Sequence, residues 1–179
     1  DLKSLPPFLQ TRVRSLAAMA CRTGDRQELT KGTLTYAAIT ALLVPLLYTA
    51  PINLIACSAL FLGDGFADPV GRLLGSNPVL QYRVAYFGAK SIPGTLACFV
   101  ASFVGSVGWA HLFNTLGHYT TFDARAFLHA ALICSGVAAI VEGVSPPDVD
   151  NILIPVSVIL TGFYLSGWDK YKFLFHTMG

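Results

Sequence analysis

From residue 32 to residue 63 the chain reads GTLTYAAITALLVPLLYTAPINLIACSALFLG, without one Asp, Glu, Lys or Arg. It then turns polar at Gly63-Asp64-Gly65-Phe66-Ala67-Asp68-Pro69-Val70-Gly71-Arg72. Two carboxylates and a guanidinium therefore stand where a greasy segment reaches the edge of a bilayer. Ionisable groups are costly there and mark function by default. In a helix, positions 64, 68 and 72 share one face. Asp-Asp-Arg on one face suits a magnesium-nucleotide, with carboxylates for the metal and the cation for phosphate oxygens.

Outward from this stretch, the other charges are equally clustered. None lies between Lys90 and Asp123, between Arg125 and Glu142, or between Asp150 and Asp169. A spanning helix needs about 20 mostly apolar residues, and these gaps fit that length. Of the 179 residues 54% are hydrophobic and 12% charged, against roughly 25% charged in a soluble domain. The expected fold is all-α, a multi-pass helical membrane protein with about five transmembrane helices. Spans are expected near 33–49, from Pro51 into the Asp64 motif, and near 93–116, 126–144 and 151–168. Gly32–Gly63 is too long for one span and tight for two, which a second helix running on to about 74 would relieve. Gly63, Gly65 and Pro69 nevertheless predict an interrupted helix there.

The organisation expected is a basic interfacial segment at 1–31, a membrane-embedded domain at 32–170 and a tail at 171–179. The chain begins at Asp1 without a methionine, so a processed or excised piece, incomplete at its N-terminus, is expected. A net charge of +2, with no Lys/Arg block interleaved with aromatics, argues against nucleic acid as a partner. The four cysteines, Cys21, Cys57, Cys98 and Cys134, are far apart and mostly inside apolar runs. They read as buried small residues rather than a zinc or disulfide framework. No Walker A loop, GxSxG elbow or HExxH helix is present. His111, His118 and His129 read as boundary or packing residues.

With a hairpin at Pro51, the parity of the spans brings 26–31, 64–72, 90–94 and 142–151 to one side. Basic residues favour that side as cytoplasmic or stromal, where nucleotides are found. Asp64 and Asp68 are the leading metal ligands; the ordinary reading has Asp64 capping a helix and Asp68 pairing with Arg72. Lys90-Ser91-Ile92-Pro93-Gly94-Thr95 opens the third span, with Ser91 as N-cap and Pro93 in the first turn. Free amides of that turn and the Lys90 ammonium would hold a phosphate. Glu142 interrupts an apolar helix, and Asp150 or Asn151 suits the N-cap of the fifth span. Glu142, Asp150 and Asn151 are therefore candidates for metal or hydroxyl binding. Asp148 reads as a loop cap, and Glu28 with Lys31 as a surface pair. Ala97, Ala101 and Gly105 suggest a close helix contact.

Together these segments resemble the polyprenol kinase family, in particular its phytol and farnesol kinase branch, related to dolichol kinase. Arg26 to Tyr36, with Glu28-Leu29, Gly32 and Leu34, looks like the segment before the branch's first shared span. Gly63 to Arg72 is similar to its GDGxAD…GR signature, Lys90 to Thr95 to its KSxxGT element, and Glu142…Asp150-Asn151…Pro155 to its E…DN…P element. Where phytol kinases often carry paired aspartates, this chain has Val149-Asp150, and further N-terminal spans usual in the family are not seen. The resemblance implies transfer of the terminal phosphate of a nucleoside triphosphate, typically CTP, to an isoprenoid alcohol such as phytol, farnesol or geranylgeraniol. It implies catalytic roles for Asp64, Asp68, Lys90, Glu142, Asp150 and Asn151. Mg2+ would lie on Asp64 and Asp68, and phosphates on Arg72, Lys90, Ser91 and Gly94. A plastid membrane is favoured over the endoplasmic reticulum. Two alternatives differ in kind: a phosphatidate cytidylyltransferase, and a non-enzymatic transporter or scaffold.

Overall fold

The computed structural model describes residues 6, 10, 26–48, 50–74, 90–118, 123–146 and 149–175, with side chains in the first helix from Leu34 onward. The basic segment before residue 26, the connection 75–89, Asp148 and the side chains of Glu28 and Lys31 lie outside the described residues. Apart from an isolated bridge at Ser91 and a few connecting residues, everything described is helix or short turn. Helix α1 spans Arg26–Leu46, α2 Pro51–Ser58, α3 Gly65–Leu74, α4 Ile92–Thr115, α5 Ala124–Val144 and α6 Asp150–Ser166. A final 3-10 helix runs over Asp169–Phe175.

Among the described residues three helices are long and apolar enough to cross a membrane: Pro51–Leu74, Ile92–Thr115 and Ala124–Val144. Two shorter apolar helices, Leu34–Leu46 and Asp150–Ser166, make up the five expected. Pro51 sits at the start of α2 after an extended Ala50, a place where its missing N–H costs nothing. Helix α4 ends on Leu116-Gly117, where Gly117 takes φ 75° and His118 N–H reaches back to the Phe113 carbonyl. Asp123 caps α5, its Oδ1 accepting from Arg125 and Ala126 N–H at 3.0 Å each.

The expected break at Gly63–Pro69 is corrected by the structure. The backbone stays helical from Pro51 to Leu74 and widens into a π-helical turn at Ala59–Asp64, joining α2 to α3. The widened turn takes up the disruption, and π turns often accompany functional sites.

Packing is close because small residues face each other. A Cβ added at Gly63 would fall 2.1 Å from Ser102 Oγ, and one at Gly105 2.4 Å from Leu62 Cδ1. The buried stripe of α4 is Gly94, Cys98, Ser102, Ser106 and Ala110. Ala97 and Ala101 are half-buried beside it, while Gly105 makes the expected close contact. Without a hydrophobic drive between helices in lipid, such intimate fits hold the bundle together. Cys98 and Cys134 are buried free thiols and Cys57 is half-buried, as read from the sequence.

The ends of the bundle sort as span parity implies. Ala50, Ala110, Ala126, Phe127, Leu165 and Leu174 share one buried cluster at the end holding the α1–α2 turn and the 3-10 helix. The charged segments meet at the other end.

Candidate functional site

Lys90, one residue before the cap of α4, is the centre of that charged end. Its Nζ donates to Glu142 Oε1 at 2.8 Å and to Asp150 Oδ2 at 2.7 Å. All three side chains are under a tenth exposed. One ammonium thus ties the start of α4 to the end of α5 and the start of α6. Thr95 Oγ1 donates to Glu142 Oε2 at 3.2 Å, so both carboxylate oxygens of Glu142 are engaged. Burial alone would push the Lys90 ammonium down, but Glu142 and Asp150 outweigh it and hold its pKa above the ordinary 10.5. What the charged lysine adds to stability is therefore present in full below pH 10.5 and lost only as pH rises through the higher folded-state value.

Helix α3 lies across the start of α4. A Cβ on Gly71 would come 2.7 Å from Ser91 Oγ, and one on Gly94 would come 2.7 Å from the Ala67 carbonyl oxygen. Gly94→Ala must displace backbone, and overpacking of this kind costs about 1–3 kcal/mol. A matching fall in thermal stability of the detergent-solubilised protein is expected. This close crossing sets α3, which carries the Asp68–Arg72 ion pair four residues apart, against the start of α4.

Asp64, at the end of the π-helical turn, accepts a hydrogen bond from the Tyr36 hydroxyl of α1, whose oxygen also lies 3.0 Å from the Leu60 carbonyl oxygen. Asp64 lies within electrostatic range of Asp150, Lys90 and Glu142. The charged end thus carries four carboxylates (Asp64, Asp68, Glu142, Asp150) and two cations, Lys90 and Arg72. Asn151 Oδ1 is buried with no hydrogen-bond partner among the described residues.

Two local expectations are corrected. Ser91 does cap α4, accepting from Gly94 N–H at 3.3 Å, but this and the Thr95 N–H bond to the Ser91 carbonyl occupy amides expected to be free for phosphate. Pro93 has no N–H to offer, so that first turn is not an open amide cradle. Asp150 and Asn151 lie inside α6, whose N-cap is Val149. The reason is the lysine: Asp150 turns Oδ2 toward Lys90 and keeps Oδ1 on the Asn151 N–H at 3.0 Å.

Tyr36 was not singled out from the sequence as a site residue. The signal available was a phenol inside an uncharged span, one of two with Tyr48, where a buried hydroxyl requires a partner.

The residues present suit a hard divalent cation. Their donors are oxygens, the cluster has an excess of negative charge, and Asn151 offers an unused buried acceptor. Among the described residues no three His, Cys, Asp or Glu side chains are grouped to hold an ion by themselves. One or two carboxylates completed by substrate phosphates is the arrangement magnesium commonly takes.

No family model matches the chain, and no solved structure matches it. Among curated proteins it is 37% identical over 145 residues to a probable phytol kinase 3, chloroplastic, of Glycine max, covering 79% of this chain and 43% of that one. It is 35% identical over 144 residues to a probable phytol kinase 2, chloroplastic, of Oryza sativa subsp. japonica, covering 79% and 45%. It is 33% identical over 147 residues to a farnesol kinase, chloroplastic, of Arabidopsis thaliana, covering 80% and 46%. The chain spans about half the length of the curated relatives it matches. Over that span, the chain is similar to the phytol and farnesol kinase branch of the polyprenol kinase family.

Proposed function

We propose that this protein is an integral membrane kinase of plastids that transfers the terminal phosphate of CTP to an isoprenoid alcohol of the phytol, farnesol or geranylgeraniol class. The observation that carries the reading is Lys90 bridging Glu142 and Asp150 at the end of a bundle of apolar helices that also carries Asp64 and the Asp68–Arg72 pair. The alcohol's hydrocarbon tail stays in the bilayer while its hydroxyl reaches this polar end. The names of the relatives support the substrate class and the plastid membrane. The positive-inside rule supports a stromal orientation of the charged end.

In the reaction the alcohol oxygen forms a bond to the γ-phosphorus, and the bond from that phosphorus to the β–γ bridging oxygen breaks. The nucleoside diphosphate leaves with the bond's electron pair, and the hydroxyl proton is released. Such transfer rests on positioning and charge neutralisation. Arg72, half-exposed at the rim, pairs with phosphate oxygens as a planar fork. Lys90 has one ammonium proton beyond its two carboxylate bonds and adds positive charge from below. Ser91 and Gly94 fix the start of α4 under it. Glu142, Asp150 and Asn151 orient Lys90 and the alcohol hydroxyl. Mg2+ would be held by Asp64 and Asp68 and, when bound, supplies charge neutralisation at the phosphate oxygens. Residues 32–170 form this kinase domain.

The deciding experiment incubates the full-length protein in vesicles with CTP labelled at the γ-phosphate and phytol, farnesol, geranylgeraniol or phosphatidate. Label in a prenyl monophosphate is expected. Label released as pyrophosphate with phosphatidate would make it a cytidylyltransferase, and no nucleotide turnover with any lipid would favour a transporter or scaffold.

A further inference from the structure

Beside the Tyr36–Asp64 contact lies an open cleft of about 600 Å³ between α1 and the π-helical turn. Its floor on α1 is made of Ala37, Thr40, Ala41 and Val44, and Phe61 forms the opposite wall. The Tyr36 and Phe61 rings stack at 6.0 Å at the end nearest Asp64. Thr40 offers no free polar group, because its hydroxyl donates to the Tyr36 carbonyl at 2.7 Å. The cleft is therefore apolar along its length, and its one link to an acidic group is Tyr36 at one end, whose hydroxyl donates to Asp64.

We propose that this cleft holds the isoprenoid tail of the acceptor alcohol and delivers its hydroxyl to the Tyr36–Asp64 pair. The inference rests on the kinase reading of the site and adds where the acceptor lies. An amphiphile with one small polar head and a long methyl-branched hydrocarbon tail matches an apolar trough with aromatic rings and the Tyr36 hydroxyl at one end. From Tyr36 to Pro45 at the far end the helix rises about 13 Å, so the cleft receives several isoprene units. Ala37 and Ala41 are exposed along the cleft, leaving it open sideways to the bilayer from which such an alcohol would enter. Small side chains at these positions leave the volume that the tail would fill. Tyr36 acts as a positioning residue at the head of the trough, through its bond to Asp64.

The test is chain-length-dependent kinetics of the full-length protein in vesicles. Ala41 lies about 7.5 Å of helix rise from Tyr36, beyond the reach of the single-unit alcohol prenol. Ala41→Phe should raise KM for geranylgeraniol about tenfold or more, while KM for prenol and for CTP stays within about twofold. Unchanged KM values for every alcohol would overturn the proposal. Should Ala41→Phe fail to fold, a wild-type protein irradiated with a geranylgeraniol analogue bearing a diazirine on its tail serves instead. Labelling of 37–45 or Phe61, competed by geranylgeraniol, is expected. Labelling confined to other helices, or competition equally by any bilayer phospholipid, would overturn it. A wild-type protein that phosphorylates no alcohol would instead sink the kinase reading itself, so the two failures are distinguishable.

Discussion

Lys90→Met should abolish phosphate transfer and destabilise the protein by about 3–5 kcal/mol, the range for breaking a buried ion pair from one side. The substitution leaves Glu142 and Asp150 facing each other in a site where each is under a tenth exposed. Two like charges in low dielectric repel, and neither has water to replace the lost ammonium. The change is read as a lower midpoint of thermal inactivation, or as loss of the protein from the membrane fraction. The triple variant Lys90→Met, Glu142→Gln, Asp150→Asn separates structure from chemistry. With the charges removed together, stability should return toward the native value while transfer stays absent. Recovery of transfer in that triple variant would show that the cluster only holds α4, α5 and α6 together.

Asp68→Ala should do the reverse, leaving stability almost unchanged while transfer drops by about 10²–10³-fold, as when one preorganised electrostatic contact is removed. Asp68 and Arg72 are about a third and two fifths exposed, so their pair is worth at most about 1 kcal/mol to folding. A carboxylate held at the rim of a site already rich in negative charge is poor use of a side chain for stability and good use for a divalent ion. The measurement is kcat with labelled CTP beside the thermal midpoint of the same preparation. Native turnover by Asp68→Ala would remove Asp68 from the metal set and leave the transfer to the other carboxylates of the site.

The separation of these two effects explains how much of the site was legible in the chain. Asp64, Lys90, Glu142 and Asp150 stand out because each bounds a long charge-free run, and Asp68 and Arg72 because they follow Asp64 at four-residue spacing; a bilayer makes such positions expensive. Their roles were less legible. Asp68 pairs along its own helix, a local relation visible in the i,i+4 spacing. Lys90 meets partners 52 and 60 residues away, which no spacing reveals. That pairing also drew Asp150 away from its expected N-cap role. Local capping by Ser91 consumed the amides that the helix-start rule reserves for phosphate. Gly63, Gly65 and Pro69 suggest a break to any local propensity scale, but tight packing of Gly63 against Cys98 and Ser102 keeps the helix whole through a π-helical turn.

By itself the sequence determined the all-helical architecture, its spans and the end of the bundle where the charges collect. Bilayer thickness and backbone hydrogen bonding leave a long apolar run no other choice. Only the tertiary structure decided which charges neutralise which, that Tyr36 is bonded to Asp64, and where an apolar cleft opens beside that pair. Those outcomes depend on how helix faces rotate and how closely small residues let backbones approach, properties of the packed bundle rather than of any single segment.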